Sequence, residues 1–85
     1  MKHSPLYRET DQRISKILPP KLRELRTKHG FTQAEIAGKL GLDRSTYTYY
    51  ETGKTKPELA VIVILCELYH VSADELLGIS EAPEL

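Results

Sequence analysis

The sequence predicts an all-α fold, a bundle of five helices in one small domain. Three observations carry that expectation. Two helix-start signals of the same kind recur, Thr32 with Glu35 and Ser72 with Glu75, each a hydroxyl residue followed three places later by Glu. Glycines at 30, 41, 53 and 78 each stand where a helical segment should stop. Between these signals apolar residues recur at helical spacing, as Ile36, Ala37 and Leu40 do.

Residues 1–17 carry the weakest signals. Ser4 and Pro5 suit an N-cap and a first helical turn, and Thr10-Asp11 offers a second start. Leu6, Ile14, Ile17 and Leu18 are apolar but sparse. The expectation is an N-terminal arm or short extra helix over 1–18. Pro19-Pro20 should interrupt any helix running out of it, because proline lacks the N–H donor and crowds the preceding turn.

The main domain is then expected over 19–79. Its first core helix reads Lys21 to His29, with Leu22 and Leu25 inward and Lys21, Arg23, Arg26 and Lys28 outward. Thr32 and Glu35 form a capping box for the next helix, and Phe31 with Ile36 has the spacing of a hydrophobic staple. Gly41 ends that helix. Asp43 is positioned to cap a third, Arg44 to Thr52, which buries Tyr47 and Tyr50 and stops at Gly53. Its other face carries Arg44, Ser45, Thr48 and Tyr49, none of which a core requires.

The fourth helix, roughly Pro57 to Tyr69, contains eight consecutive apolar residues, Leu59 to Cys66. Periodicity and β-branching alone would also allow a buried strand. Pro57 at the start and the continuation through Leu68 favour a helix. A helix apolar all round must be covered all round, and a chain of 85 residues has little to cover it with. The second face is therefore expected to be a subunit interface. A short fifth helix, Ala73 to Leu77, follows Ser72 and ends at Gly78. Residues 80–85 read as an acidic tail.

Formal net charge is zero, but the charges are segregated. Ten basic residues lie from Arg13 to Lys56 against four acids, whereas residues 57–85 hold six acids and no Lys or Arg. One half can face phosphates while the other stays away. The lone cysteine, Cys66, excludes an internal disulfide and reads as a buried structural thiol. No spacing links His3, His29 and His70 into a metal site. No cofactor is expected. The N-terminal MKHSPLYRET has no apolar leader pattern, and no run approaches a membrane span. A nucleophile triad, a phosphate-cradling Gly loop and a paired-acid site are all missing, which argues against an enzyme.

A helix, a tight turn and a second helix with an exposed polar face is the helix-turn-helix arrangement. Residues 33–50 resemble the helix-turn-helix of the phage Cro/repressor type, the XRE family. The matching residues are Gln33, Ala37, Gly41, the apolar set Ile36, Leu40, Leu42, Tyr47 and Tyr50, and the exit Tyr50-Glu51-x-Gly53 leading to Pro57. The resemblance implies a lambda-repressor-like DNA-binding domain: a homodimeric regulator of repressor type on a near-palindromic operator, cytoplasmic and nucleoid-associated in a bacterial or phage setting. It also implies base contacts from Arg44, Ser45 and Tyr49; Thr48, on the same exposed face, is expected to join them. Gln33, Lys54, Thr55 and Lys56 are expected at phosphates, since contacts there set register and carry no sequence information. Arg26 occupies the family's usual arginine position and is expected to pair with Glu51. Ala60, Val61, Ile64 and Leu68 are expected at the dimer interface. Residues 1–17 lie outside the family core and leave three roles open: contact with DNA through Arg8, Arg13 or Lys16, an addition to the dimer interface, or none. An antitoxin-like module, binding a second protein through residues 1–17 or the fourth helix, is the alternative function.

Overall fold

The computed structural model describes residues 4–79, so the acidic tail expected over 80–85 lies outside the described residues. Among these residues five helices follow one another: α1 (Pro5–Lys28), α2 (Gln33–Leu40), α3 (Arg44–Thr52), α4 (Leu59–Tyr69) and α5 (Ala73–Leu77). α1 packs against α3 and α5, α2 against α3, and α4 against α5. Leu22, Ile36, Tyr47, Leu65 and Leu76, one from each helix, are fully buried and meet in a single core.

Local signals place most of the boundaries. Ser4 caps α1 by accepting from the Tyr7 N–H at 3.1 Å. Thr32 and Glu35 close a reciprocal capping box on α2, with bonds of 2.9 and 3.0 Å. Ser72 caps α5. Gly41, Gly53 and Gly78 take left-handed conformations just past their helices. α4 departs from this pattern, since His70 adopts φ 56° at its end, a conformation that strains any side chain with a Cβ.

Three expectations need correction. The first concerns Pro19-Pro20, which do not interrupt the chain: α1 runs unbroken through them for 24 residues. Continuity keeps Leu18, Leu22 and Leu25 on one buried stripe, with Ile14 packed one turn earlier. That packing outweighs a local cost of about 3 kcal/mol for an interior proline. Ser15 and Lys16, whose carbonyls lose their donors, are exposed, so water can reach them. Residues 5–18 are thus the first half of α1 rather than a separate arm.

The second correction concerns helix starts. Pro57 does not open α4, which begins at Leu59 with Glu58 in the N-cap position. Asp43 holds the N-cap position of α3 without a side-chain capping bond; it is exposed, so its carboxylate stays hydrated.

The third concerns Val61, which was expected on an outward interface but lies in the core with Ile62, Leu65 and Tyr69. Val61, Leu65 and Tyr69 are spaced by four residues and form one stripe of α4. The opposite face exposes Leu59, Ala60, Val63 and Ile64, with Leu59 78% and Val63 49% accessible. Leu68 lies at the edge, half-buried against the core.

Candidate nucleic-acid interface

α2 and α3 are joined by a turn in which Gly41 takes φ 70°. Leu42 donates to the Ala37 carbonyl at 2.9 Å, which satisfies the end of α2 before α3 begins. Ala37 is buried where the two helices pack. This geometry turns Tyr47 and Tyr50 inward, where their rings meet edge to face with centroids 6.0 Å apart. It leaves Arg44, Ser45 and Tyr49 exposed.

Arg44, Ser45, Thr48 and Tyr49 line one surface recess. A second, at the start of α2, is lined by Arg26, Gly30, Phe31, Thr32, Gln33, Ala34 and Arg44. Arg44 borders both, so it links the recess at the start of α2 with the one at the start of α3.

Thr48 and Gln33 are more engaged than the sequence implied. The Thr48 hydroxyl lies 2.9 Å from the Arg44 carbonyl and 3.0 Å from Gln33 Oε1. Its one hydroxyl proton is used internally, which leaves the methyl group and the oxygen's lone pairs for contact. Gln33 Nε2 donates to Glu51 Oε1 at 3.0 Å. An amide nitrogen carries two protons, so Gln33 keeps one donor for an outside acceptor.

Glu51 is the centre of the network beneath this surface. Its side chain is 2% accessible. Arg26 donates to it twice, Nε to Oε2 at 2.6 Å and Nη2 to Oε1 at 3.1 Å, and Tyr47 donates at 2.5 Å. Arg26 also donates to the Phe31 carbonyl at 2.9 Å. The pairing of Arg26 with Glu51, expected from the sequence, is therefore present and joins α1 to α3. Burial pushes the Glu51 carboxyl up, but the bonds from Arg26, Tyr47 and Gln33 win and hold it below the usual carboxylate range. The hydrogen bond to Glu51 raises the Arg26 guanidinium further still. Burial, then the neighbouring carboxylate, raises Tyr47. Tyr69, buried with no partner for its hydroxyl among the described residues, is pushed up to about 12 by burial.

The loop after α3 holds the other expected contacts, in three different situations. Lys54 lies over the Tyr49 ring, 4.4 Å from its centroid, a cation–π placement. Thr55 is exposed. Lys56 Nζ sits 3.0 Å from Asp11 Oδ1 on α1. The partnership with Asp11 becomes visible in the sequence only once α1 is continued through its prolines, which places Asp11, Ile14 and Leu18 on one stripe.

An exposed polar helix, set by a tight turn on a second helix and backed by a buried ionic network, defines a helix-turn-helix domain. Residues 22–76 match the helix-turn-helix family, and the chain belongs to it, in its Cro/repressor (XRE) branch. It is 42% identical over 64 residues to the uncharacterized HTH-type transcriptional regulator YobD of Bacillus subtilis (strain 168), covering 75% of this chain and 57% of that one. The cryptic phage CTXphi transcriptional repressor RstR of Vibrio cholerae is 36% identical over 61 residues, 72% of this chain and 55% of its own. A crystal structure of a transcriptional regulator from Listeria innocua superposes with a TM-score of 0.71 at 32% identity, covering 80% of this chain and 62% of that one. The chain spans about half the length of the curated relatives it matches.

Proposed function

We propose that the chain is a sequence-specific binder of double-stranded DNA, acting as a homodimeric transcriptional regulator of repressor type on a near-palindromic operator in the cytoplasm. The observation that carries this reading is the exposed start of α3. Arg44 has neither a side-chain hydrogen bond nor an ion-pair partner among the described residues, and Ser45 and Tyr49 stand beside it. A guanidinium so placed can bond guanine O6 and N7 together in the major groove. Ser45, the Tyr49 ring and the Thr48 methyl complete the base-facing set. The second amide proton of Gln33, at the N-terminus of α2, suits a phosphate. Lys54 and Thr55 fit the backbone next to the groove, while Lys56, also expected there, is held by Asp11.

The exposed face of α4 supports the dimer. Leu59, Ala60, Val63 and Ile64 form an apolar surface that a second copy would cover. Two α3 helices would then lie one DNA turn apart, roughly 34 Å.

Selection of bound sequences from a random duplex pool, with affinity followed against salt, tests the reading. The expected outcome is a two-fold-related consensus with half-sites one turn apart. Recovery of no consensus, together with a stable complex with an unrelated small protein, would transfer the assignment to an antitoxin-like module.

A further inference from the structure

The first half of α1 runs beside the loop that follows α3, and two contacts fix its course. Pro19 Cγ lies 3.4 Å from where a Cβ on Gly53 would sit. Lys56 Nζ lies 3.0 Å from Asp11 Oδ1. From Asp11 to Pro19 a helix rises about 12 Å, so this stretch follows residues 53–56 for two turns.

Arg13 and Lys16 fall between the two anchors. They are three apart on the helix and so share a side. With Glu9 and Gln12 they line a surface recess. Neither cation has an ion-pair partner among the described residues. Arg13 Nε is also buried without a hydrogen-bond partner among the described residues. Lys56, by contrast, is taken up by Asp11. Glu9 is the one acid in the recess and weakens its field without cancelling it.

We propose that this stretch of α1 is a second phosphate-binding element, with Gln12, Arg13 and Lys16 lying along the DNA backbone beyond the part met by Lys54 and Thr55. The inference rests on the DNA-binding reading above. It assigns a role to the part of α1 that precedes the matched family region, which begins at residue 22.

The test is the salt dependence of binding to a fluorescent mixed-sequence duplex of about 40 base pairs, long enough to pass under α1. Each lost phosphate contact should lower the slope of log K against log salt by about 0.9. Lys16→Ala should therefore lower it by about 0.9, Arg13→Ala with Lys16→Ala by about 1.8, and Gln12→Lys should raise it by about 0.9. Gln12 and Lys16 are exposed, so these two variants keep their fold and decide the matter even where the Arg13 variant does not. Slopes for Lys16→Ala and Gln12→Lys equal to the parent's would overturn the proposal and leave the DNA-binding reading standing. A parent protein that binds no duplex would sink both.

Discussion

The Arg26 guanidinium meets the Glu51 carboxylate edge to edge, with Nε 2.6 Å from one oxygen and Nη2 3.1 Å from the other. The pair joins α1 to the end of α3, and Gln33 and Tyr47 attach to the same two oxygens. Three helices thus take their mutual orientation from one buried carboxylate. Glu51→Ala strands the Arg26 charge and two further polar groups, a change expected to cost about 3–5 kcal/mol. Replacing Arg26 and Glu51 together by Met and Leu should cost less than the sum of the single changes, because it leaves no unpaired charge. Urea unfolding of the three variants measures this; strict additivity would show that the pair is not coupled.

Acid should loosen the same joint. Glu51 is held below the usual carboxylate range in the folded chain, so its contribution is fully present above the unfolded value of about 4.3 and is lost as pH falls through the folded value. Glu51→Gln should flatten the acid limb of a stability-against-pH curve. An acid limb identical to the parent's would assign that limb to other carboxylates.

Arg44 has no side-chain partner among the described residues, so its loss should be felt in the proposed DNA binding and not in the fold. Arg44→Ala is expected to cost on the order of 1–3 kcal/mol in binding and to relax preference at one base pair, with unchanged thermal unfolding. An equal loss on every sequence would move Arg44 from base reading to phosphate contact.

Lys54 sits over the Tyr49 ring, which ties a loop cation to an exposed side chain proposed to face the groove. Lys54→Met and Tyr49→Ala should therefore alter preference at the same base pair. Their effects should be non-additive by about 0.5–1 kcal/mol, the worth of an exposed cation–π contact. Additive effects at different positions would separate the two residues.

Two neighbouring residues of α4 should behave differently. Ile64 is 43% accessible and Val61 is buried. Ile64→Lys is expected to leave the helices intact while sedimentation shows monomers and operator binding weakens. Val61→Lys should unfold the chain, because it buries an unpaired ammonium. An unchanged dimer for Ile64→Lys would remove α4 from the interface.

The sequence was most readable where structure is decided within one or two turns. The Thr32–Glu35 box, the Ser72 cap and the stops at Gly41, Gly53 and Gly78 depend on a few adjacent residues, and they placed α2, α3 and α5. The course of α1 was not readable in that way. The local rule for Pro19-Pro20 favours a break, whereas the buried stripe that overrides it depends on partners distant in sequence. The faces of α4 were obscured for another reason. Eight apolar residues in a row give almost no contrast around the helix, so only contact with the other helices separates Val61 from Val63. At the candidate interface the sequence picked out the exposed residues of α3, but the internal bonds of Gln33 and Thr48 required the crossing of α2 and α3.

The segregated charges bear on how fast a complex forms. With zero net charge the protein feels little pull as a whole, yet its ends differ. Basic residues cluster on α1 and on the segments around α3, while Glu58, Glu67, Asp74 and Glu75 accompany α4 and α5. The two sets meet at the boundary where Lys21 lies 3.9 Å from Glu75. Charges segregated in this way give a molecule an electric dipole wherever the two sets lie on different sides. Within a Debye length of about 10 Å from a polyanion, it is turned before it is drawn in, basic side first. Most encounters would then begin in the productive orientation, and salt would slow association by weakening that torque as well as the attraction.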